Sequence, residues 1–230
     1  MELTQALRTT GAVREFRADP VPDEVVARLL DTARFAPNGG NRQAWHVIVV
    51  KDAVRRRALR DAYLPTWYEY LAQREAGLTP WAPVTDVAAE AAAIRQAPEV
   101  AARAATAPDG VAERFDEVPV LLAVLADLRA LAAVDKGTRA YTIVGGASVY
   151  PFVWSILLAA RDEGLGGVIT TMTARRERQV REVLGAPEHM SLACVVALGH
   201  PVHQPTRLSR QPVAAFATVD RFDGPALGGP

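Results

Sequence analysis

Three carboxamides fall within six residues, at Asn38, Asn41 and Gln43, around the pair Gly39 and Gly40. The two asparagines are the only ones in the 230-residue chain. A carboxamide both donates and accepts hydrogen bonds, and glycine lets a backbone come close to a bound molecule. The loop is therefore suited to gripping the polar edge of a small ligand. Asparagine and glycine are also ordinary turn residues, and the local sequence leaves both readings open.

Groups that would do chemistry unaided are missing from the pattern. Gly164-Leu165-Gly166-Gly167 follows an expected helix and precedes an expected strand, the reverse of a dinucleotide fingerprint. No Walker phosphate loop occurs, and no serine stands in a Gly-x-Ser-x-Gly turn. The four histidines offer no helical metal pair, and His200 and His203 read as solvated loop residues. The single cysteine, Cys194, lies in the apolar run 192–198 and reads as a small buried hydrophobe, so no disulfide can form within the chain. A chain without its own acid, base, nucleophile or metal must borrow its chemistry, which points to a cofactor.

The loop needs rigid neighbours. Residues 23–36 predict a helix stopped by Pro37, with Asp23 and Glu24 in its first turn and Val25, Val26, Leu29, Leu30 and Ala33 on one apolar face. Residues 46–50 leave the loop as a strand. A short helix over 2–10 and a basic helix over 52–63 are expected on either side. Five aromatics then crowd into 63–81, at Tyr63, Trp67, Tyr68, Tyr70 and Trp81, interrupted by Pro65, Pro80 and Pro83. They form either a lid or substrate wall, or helices packed on the edge of the core.

Residues 85–105 read as helical and 106–110 as a loop. The apolar stretch 118–127 suits a buried central strand, although its length also allows a helix. Residues 141–163 predict a helix with the small cluster Gly145, Gly146, Ala147 and Ser148 near its start and Gly164 as its stop. A strand over 167–172, a helix over 174–184 closed by Gly185 and an apolar strand over 191–199 complete the order. The tail 200–230 has no core of its own, as an arm lying on a partner subunit would have none. This order predicts an α+β or mixed α/β layered fold.

Composition bounds the rest. The length fits one domain over 1–230, with its core at about 5–215 and a possible helical lid insertion at about 55–110. Zero formal charge and a pI near 6.9 give no electrostatic footprint for nucleic acid or an anionic membrane. The start lacks a signal-peptide pattern, and no apolar run reaches a membrane span, so a soluble, cytoplasmic protein is expected.

Four separated pieces converge on one family. They are Arg14-Glu15-Phe16; the stretch 36–45 around the carboxamide loop; Leu158-Ala159-Ala160 with Glu163-Gly164-Leu165-Gly166 and Thr170-Thr171; and Arg210-Gln211-Pro212 in the tail. In this order the chain resembles the flavin-dependent nitroreductase family. The resemblance implies a mixed, mainly antiparallel sheet flanked by helices, an intertwined homodimer with exchanged C-terminal arms, and FMN held noncovalently between subunits. It assigns Arg14 and Arg210 as phosphate and ribityl anchors, and Thr10, Gly11 and Ala12 as the phosphate loop. Asn38, Gly39, Asn41 and Gln43 become flavin contacts, and Ile169, Thr170 and Thr171 flank the ring edge, with Thr171 able to face N5. Gly40, Tyr63, Trp67 and Tyr68 are the expected substrate contacts.

The chain departs from the family pattern where Thr10-Gly11-Ala12 replaces Arg-Arg-Ser, where Ala44 replaces proline, and where Trp154-Ser155 replaces Gln-Asn. The expected activity is ping-pong transfer of two electrons from NAD(P)H, through FMN, to a nitroaromatic, quinone or related small acceptor. The alternatives are a specialised member acting on one metabolite, by dehydrogenation, dehalogenation or flavin breakdown, and a flavin- or deazaflavin-binding protein without turnover.

Overall fold

A computed structural model describes residues 1–106, 110–138 and 143–228. Among them, seven α-helices surround a four-stranded sheet of order β1-β2-β4-β3, every neighbouring pair antiparallel. The strands are β1 (Trp45–Val49), β2 (Val120–Asp127), β3 (Gly166–Thr170) and β4 (Met190–Gly199). All of β2 before Asp127 is buried, which is why it reads as an unbroken apolar run. Successive side chains of a strand point to opposite faces. Leu122, Val124 and Ala126 accordingly join one core with α2 (Asp23–Ala33) and α6 (Tyr150–Asp162). Leu121, Ala123 and Leu125 join a second core with α3 (Ala53–Glu75) and α7 (Glu177–Leu184).

The N-terminal segment after α1 (Leu3–Thr9) runs along the β3 edge. Ala12 makes a parallel bridge to Gly167, the Val13 amide donates to the Gly167 carbonyl at 2.9 Å, and Phe16 pairs with Pro201. This pairing brings Arg14 beside the end of β3.

Several elements differ from expectation. The second helix ends at Ala33, not Ala36, because the backbone must leave the α region before Pro37. The third helix runs straight through Pro65 for 23 residues. A mid-helix proline costs about 3 kcal/mol, and packing offsets it here. The Arg56 guanidinium donates to the carbonyls of Val50, Asp116 and Val118, and Arg60 pairs with Asp116 at 3.2 Å. Residues 85–105 form two helices, α4 (Val87–Ile94) and α5 (Ala97–Ala105), because Pro98 cannot donate to the Ile94 carbonyl.

The sixth helix starts at Tyr150, after a 3-10 turn at Val144–Ser148, with Pro151 in its first turn. Tyr141 and Thr142, where that helix was expected to begin, lie outside the described residues. The seventh starts at Glu177 after a 3-10 turn at Met172–Arg176. Gly164 and Gly185, with φ of 77° and 66°, occupy the expected left-handed stops. The described part of the tail carries a short 3-10 turn at Val213–Ala215 and a bridge between Thr218 and Ala226, and leaves Phe216 and Phe222 exposed. Among the described residues no helix is long and apolar enough to cross a membrane.

Leu125 is 1 % exposed between β1 and β4. Leu125→Ala should lower unfolding free energy by about 2–5 kcal/mol, read from urea denaturation.

Candidate functional site

The carboxamide loop is built from the inside out by Asn38. Its Oδ1 accepts the Gln43 amide at 2.8 Å and its Nδ2 donates to the Ala36 carbonyl at 3.3 Å, so this side chain closes the loop. The Gly39 amide donates to Ser148 Oγ at 3.0 Å, and a Cβ on Gly39 would lie 2.4 Å from the Ala132 Cβ. Only glycine fits there. Gly40, Asn41 and Gln43 take left-handed φ values of 62°, 52° and 50°, two of them at residues that adopt this region at a cost. Asn41 and Gln43 are exposed, and among the described residues neither carboxamide is hydrogen-bonded. The loop thus combines a locked backbone with two free side-chain amides.

A second cluster lies at the other edge of the sheet. A cavity of about 190 Å³ is lined by Arg14, Tyr63, Trp67 and Tyr70 together with Ile169, Thr170, Thr171 and Met172. Its wall is an aromatic ladder. Phe115 stacks on Tyr63 at 4.7 Å, Tyr63 on Trp67 at 6.1 Å, and Trp67 on Tyr70 at 5.4 Å. Among the described residues Arg14 has no hydrogen bond or ion pair, and its charge acts on the Tyr63 phenol. A neighbouring cavity of about 290 Å³ shares Arg14 and Phe16 and adds Arg17, Arg114, Glu15 and Glu117.

The expected site residues thus sort themselves. Arg14, Tyr63, Trp67, Ile169, Thr170 and Thr171 come together. Asn38, Gly39, Gly40, Asn41 and Gln43 form a separate group leading into β1. Trp45 pairs with Ala126 and Ala126 with Ser191, whereas Thr170 pairs with Val195, so the two groups are offset along the strands by four residues of β4. They also lie on opposite outer strands, so the width of the sheet separates them as well.

Thr10 is buried, Gly11 is half-buried and Ala12 is exposed. The Thr10 hydroxyl donates to the Ala6 carbonyl at 2.7 Å, Pro205 and Leu208 cover Gly11, and Ala12 pairs with Gly167. Arg210 is exposed in the tail and donates to its neighbour Ser209. Tyr68 is not on the cavity wall. It lies across α3, donates to Glu113 Oε1 at 2.9 Å, and lines an apolar groove between α3 and α5. Trp81 also turns away, under the Arg175 guanidinium at 4.3 Å. Phe115 and Met172 also line the cavity without any mark in the sequence, and Tyr70, one of the five crowded aromatics, joins Tyr63 and Trp67 there. For Tyr70 the signal was present, because 63, 67 and 70 share one helical face.

Burial and the Glu113 carboxylate hold the phenols protonated. Tyr63 is pushed up to about 12 by desolvation, against the opposing pull of Arg14, and Tyr68 to about 12 by desolvation and then Glu113. Burial likewise pushes the Cys194 thiol up to about 12, so it is no nucleophile.

With this geometry in view, the comparison with known proteins decides the family. The model of the nitroreductase family matches residues 7–200. The chain belongs to the nitroreductase family. It is 29% identical over 209 residues to the NADH dehydrogenase of Thermus thermophilus, covering 87% of each chain. It is 28% identical over 214 residues to the 5,6-dimethylbenzimidazole synthase of Rhodospirillum rubrum, covering 86% of this chain and 84% of that one. In fold it is similar to crystalline oxidized iodotyrosine deiodinase bound to FMN and 3-iodo-L-tyrosine, with a TM-score of 0.65, 21% identity and coverage of 96% and 100%. The α+β fold with its antiparallel sheet is that of the family, as the four sequence pieces implied.

Raised phenol pKa values mean that the native state keeps protons that the unfolded state sheds above about pH 10. Stability should hold below pH 10 and fall as pH rises toward 12, where the native phenols ionise. Urea denaturation across that range should show a shallower fall for Tyr63→Phe.

Proposed function

We propose that the protein is a homodimeric FMN oxidoreductase that passes two electrons from NADH or NADPH to a small organic acceptor, with nitroaromatics and quinones as the class. The observation that carries this reading is the division of the site. One half offers an unpaired guanidinium, strand-end backbone and a flat aromatic wall; the other offers free carboxamides on a locked loop. A second copy of the chain would bring its amide half against the first copy's Arg14 half.

The residues present fit the cofactor. Arg14 suits an anionic oxygen, and the amides of Asn41 and Gln43 suit the polar edge of a flavin ring. The stacked aromatics keep water from one side of the cavity. Arg210, carried on a tail whose Phe216 and Phe222 are exposed, would reach the phosphate end from the arm. Bound FMN would supply the two-electron carrier that these side chains lack. The chain's own task is to hold and orient, which is where rate is gained when reaction depends on stacking and alignment.

Family relatives named 5,6-dimethylbenzimidazole synthase and iodotyrosine deiodinase support a specialised acceptor as a variant of the same reading. The uncharged Thr10-Gly11-Ala12 loop favours a second reading, a flavin or deazaflavin binder without turnover.

Protein reconstituted with FMN should be yellow and should bleach on anaerobic addition of NADH or NADPH. A yellow protein that neither nucleotide bleaches would support the binder, and failure to retain flavin would end both readings. Arg210→Ala should weaken FMN binding by about 1.5–3 kcal/mol, the range for a hydrogen bond to a charged group, in a fluorescence titration; unchanged affinity would remove Arg210 from the site.

A further inference from the structure

Two prolines line the groove between α3 and α5, and each leaves a backbone acceptor short of a donor. Pro65, inside α3, has no N–H to give the Asp61 carbonyl, and its ring crowds that carbonyl. Pro98, in the first turn of α5, likewise has none for the Ile94 carbonyl, which among the described residues accepts from no other backbone amide. Asp61, Pro65, Ile94 and Pro98 all line the groove, whose volume of about 490 Å³ exceeds that of the Arg14 cavity and suits a small organic ligand.

The polar side chains of the lining point to the same deficit. They are the carboxylates of Asp61 and Glu69 and the Tyr68 phenol, with no lysine, arginine or histidine among them. Tyr68 has already given its proton to Glu113 Oε1, at 2.9 Å. The side chains therefore accept hydrogen bonds and have no donor left to offer. Neither carboxylate is fully neutralised by its neighbours. The guanidinium that pairs with Asp61 at 2.9 Å is shared with Asp116 at 3.2 Å. Arg175 stands 3.2 Å from Glu69 Oε2 but lies over the Trp81 ring at 4.3 Å, and that buried oxygen has no hydrogen bond.

We propose that this groove binds a hydrophobic amine, with the ammonium at Asp61 and the hydrocarbon body against Leu64, Pro98 and Ala101. An ammonium brings three donors and a positive charge to a place that has acceptors, negative charge and none of either complement. Apolar walls strengthen that attraction by excluding water, and burial of the ligand's hydrocarbon adds to it. A carboxylate of the same shape would meet like charge and find no side-chain donor. The inference goes beyond the FMN reading and does not rest on it, since the groove shares no lining residue with the Arg14 cavity.

The test is calorimetric titration of the full chain at neutral pH with 2-phenylethylamine, 2-phenylethanol and 3-phenylpropanoate, which share a ring and differ in charge. The amine should bind saturably and about tenfold more tightly than either of the others, the scale of one charge-assisted hydrogen bond. Ala101→Phe, which fills the groove, should abolish binding. Asp61→Asn should weaken the amine about fivefold and leave the alcohol unchanged. If Ala101→Phe lacks a folded near-ultraviolet circular dichroism signal, Asp61→Asn with the alcohol control decides alone. No saturable amine binding, equal binding of the alcohol or the acid, or an indifferent Asp61→Asn would overturn the proposal. So would amine binding that FMN displaces or is needed for, which would put the ligand at the sheet-edge site. A changed sedimentation coefficient for folded Ala101→Phe would also overturn it, because a second copy of the chain would then be the occupant. Failure of FMN to bind would end the flavin reading and leave this one standing.

Discussion

A strand buried on both faces governs the architecture. Because β2 is apolar on either side, it must sit inside the sheet with helices above and below, and β1 and β3 are left as the outer strands. Everything chemical then falls at the two edges. The carboxamide loop enters at β1, and Thr170 and Thr171 leave at β3. The carboxamides thus lie at the β1 edge and the Arg14 cavity at the β3 edge, with the sheet's width between them.

Each part is held by different physics. The amide loop is a backbone device: one asparagine side chain ties it shut, a glycine packs against Ala132 where no Cβ fits, and left-handed residues present the remaining amides. The cavity at β3 is a packing device. Its wall is a stack of rings on a helix anchored by Arg56 and Arg60, and its polar groups are few. Locked loops and stacked rings both lower the entropy lost when a ligand binds.

Much of this was legible in the sequence where burial leaves a periodic mark. The apolar face of α2, the run of β2 and the glycine stops of α6 and α7 were read at nearly their final places. The passage of α3 through Pro65 was not, because its compensation comes from carbonyls at Val50, Asp116 and Val118 that are distant in sequence. The break between α4 and α5 was written in Pro98 and overlooked. At the site, the residue types of the loop and of 169–171 were informative, yet the side of α3 that faces the cavity was not, so Tyr68 was favoured over Tyr70. Asn38 was read as facing a ligand, whereas its hydrogen bonds to Gln43 and Ala36 turn it inward. Side-chain direction within a loop is set by such closures, which composition does not encode.

The outermost layer of helices has a thin attachment. Buried contact of α4 and α5 with the rest rests on a small cluster of Ala72, Ala97 and Val100 with Tyr68 and Leu71 against it. So little apolar area makes this pair cheaper to open than the sheet. The aromatic ladder stands on the same helix, α3, and detachment of that layer would loosen one support of its wall without melting either core. The molecule therefore combines a rigid sheet with a more loosely attached flank, and substitutions can accumulate in the flank while the sheet is left alone.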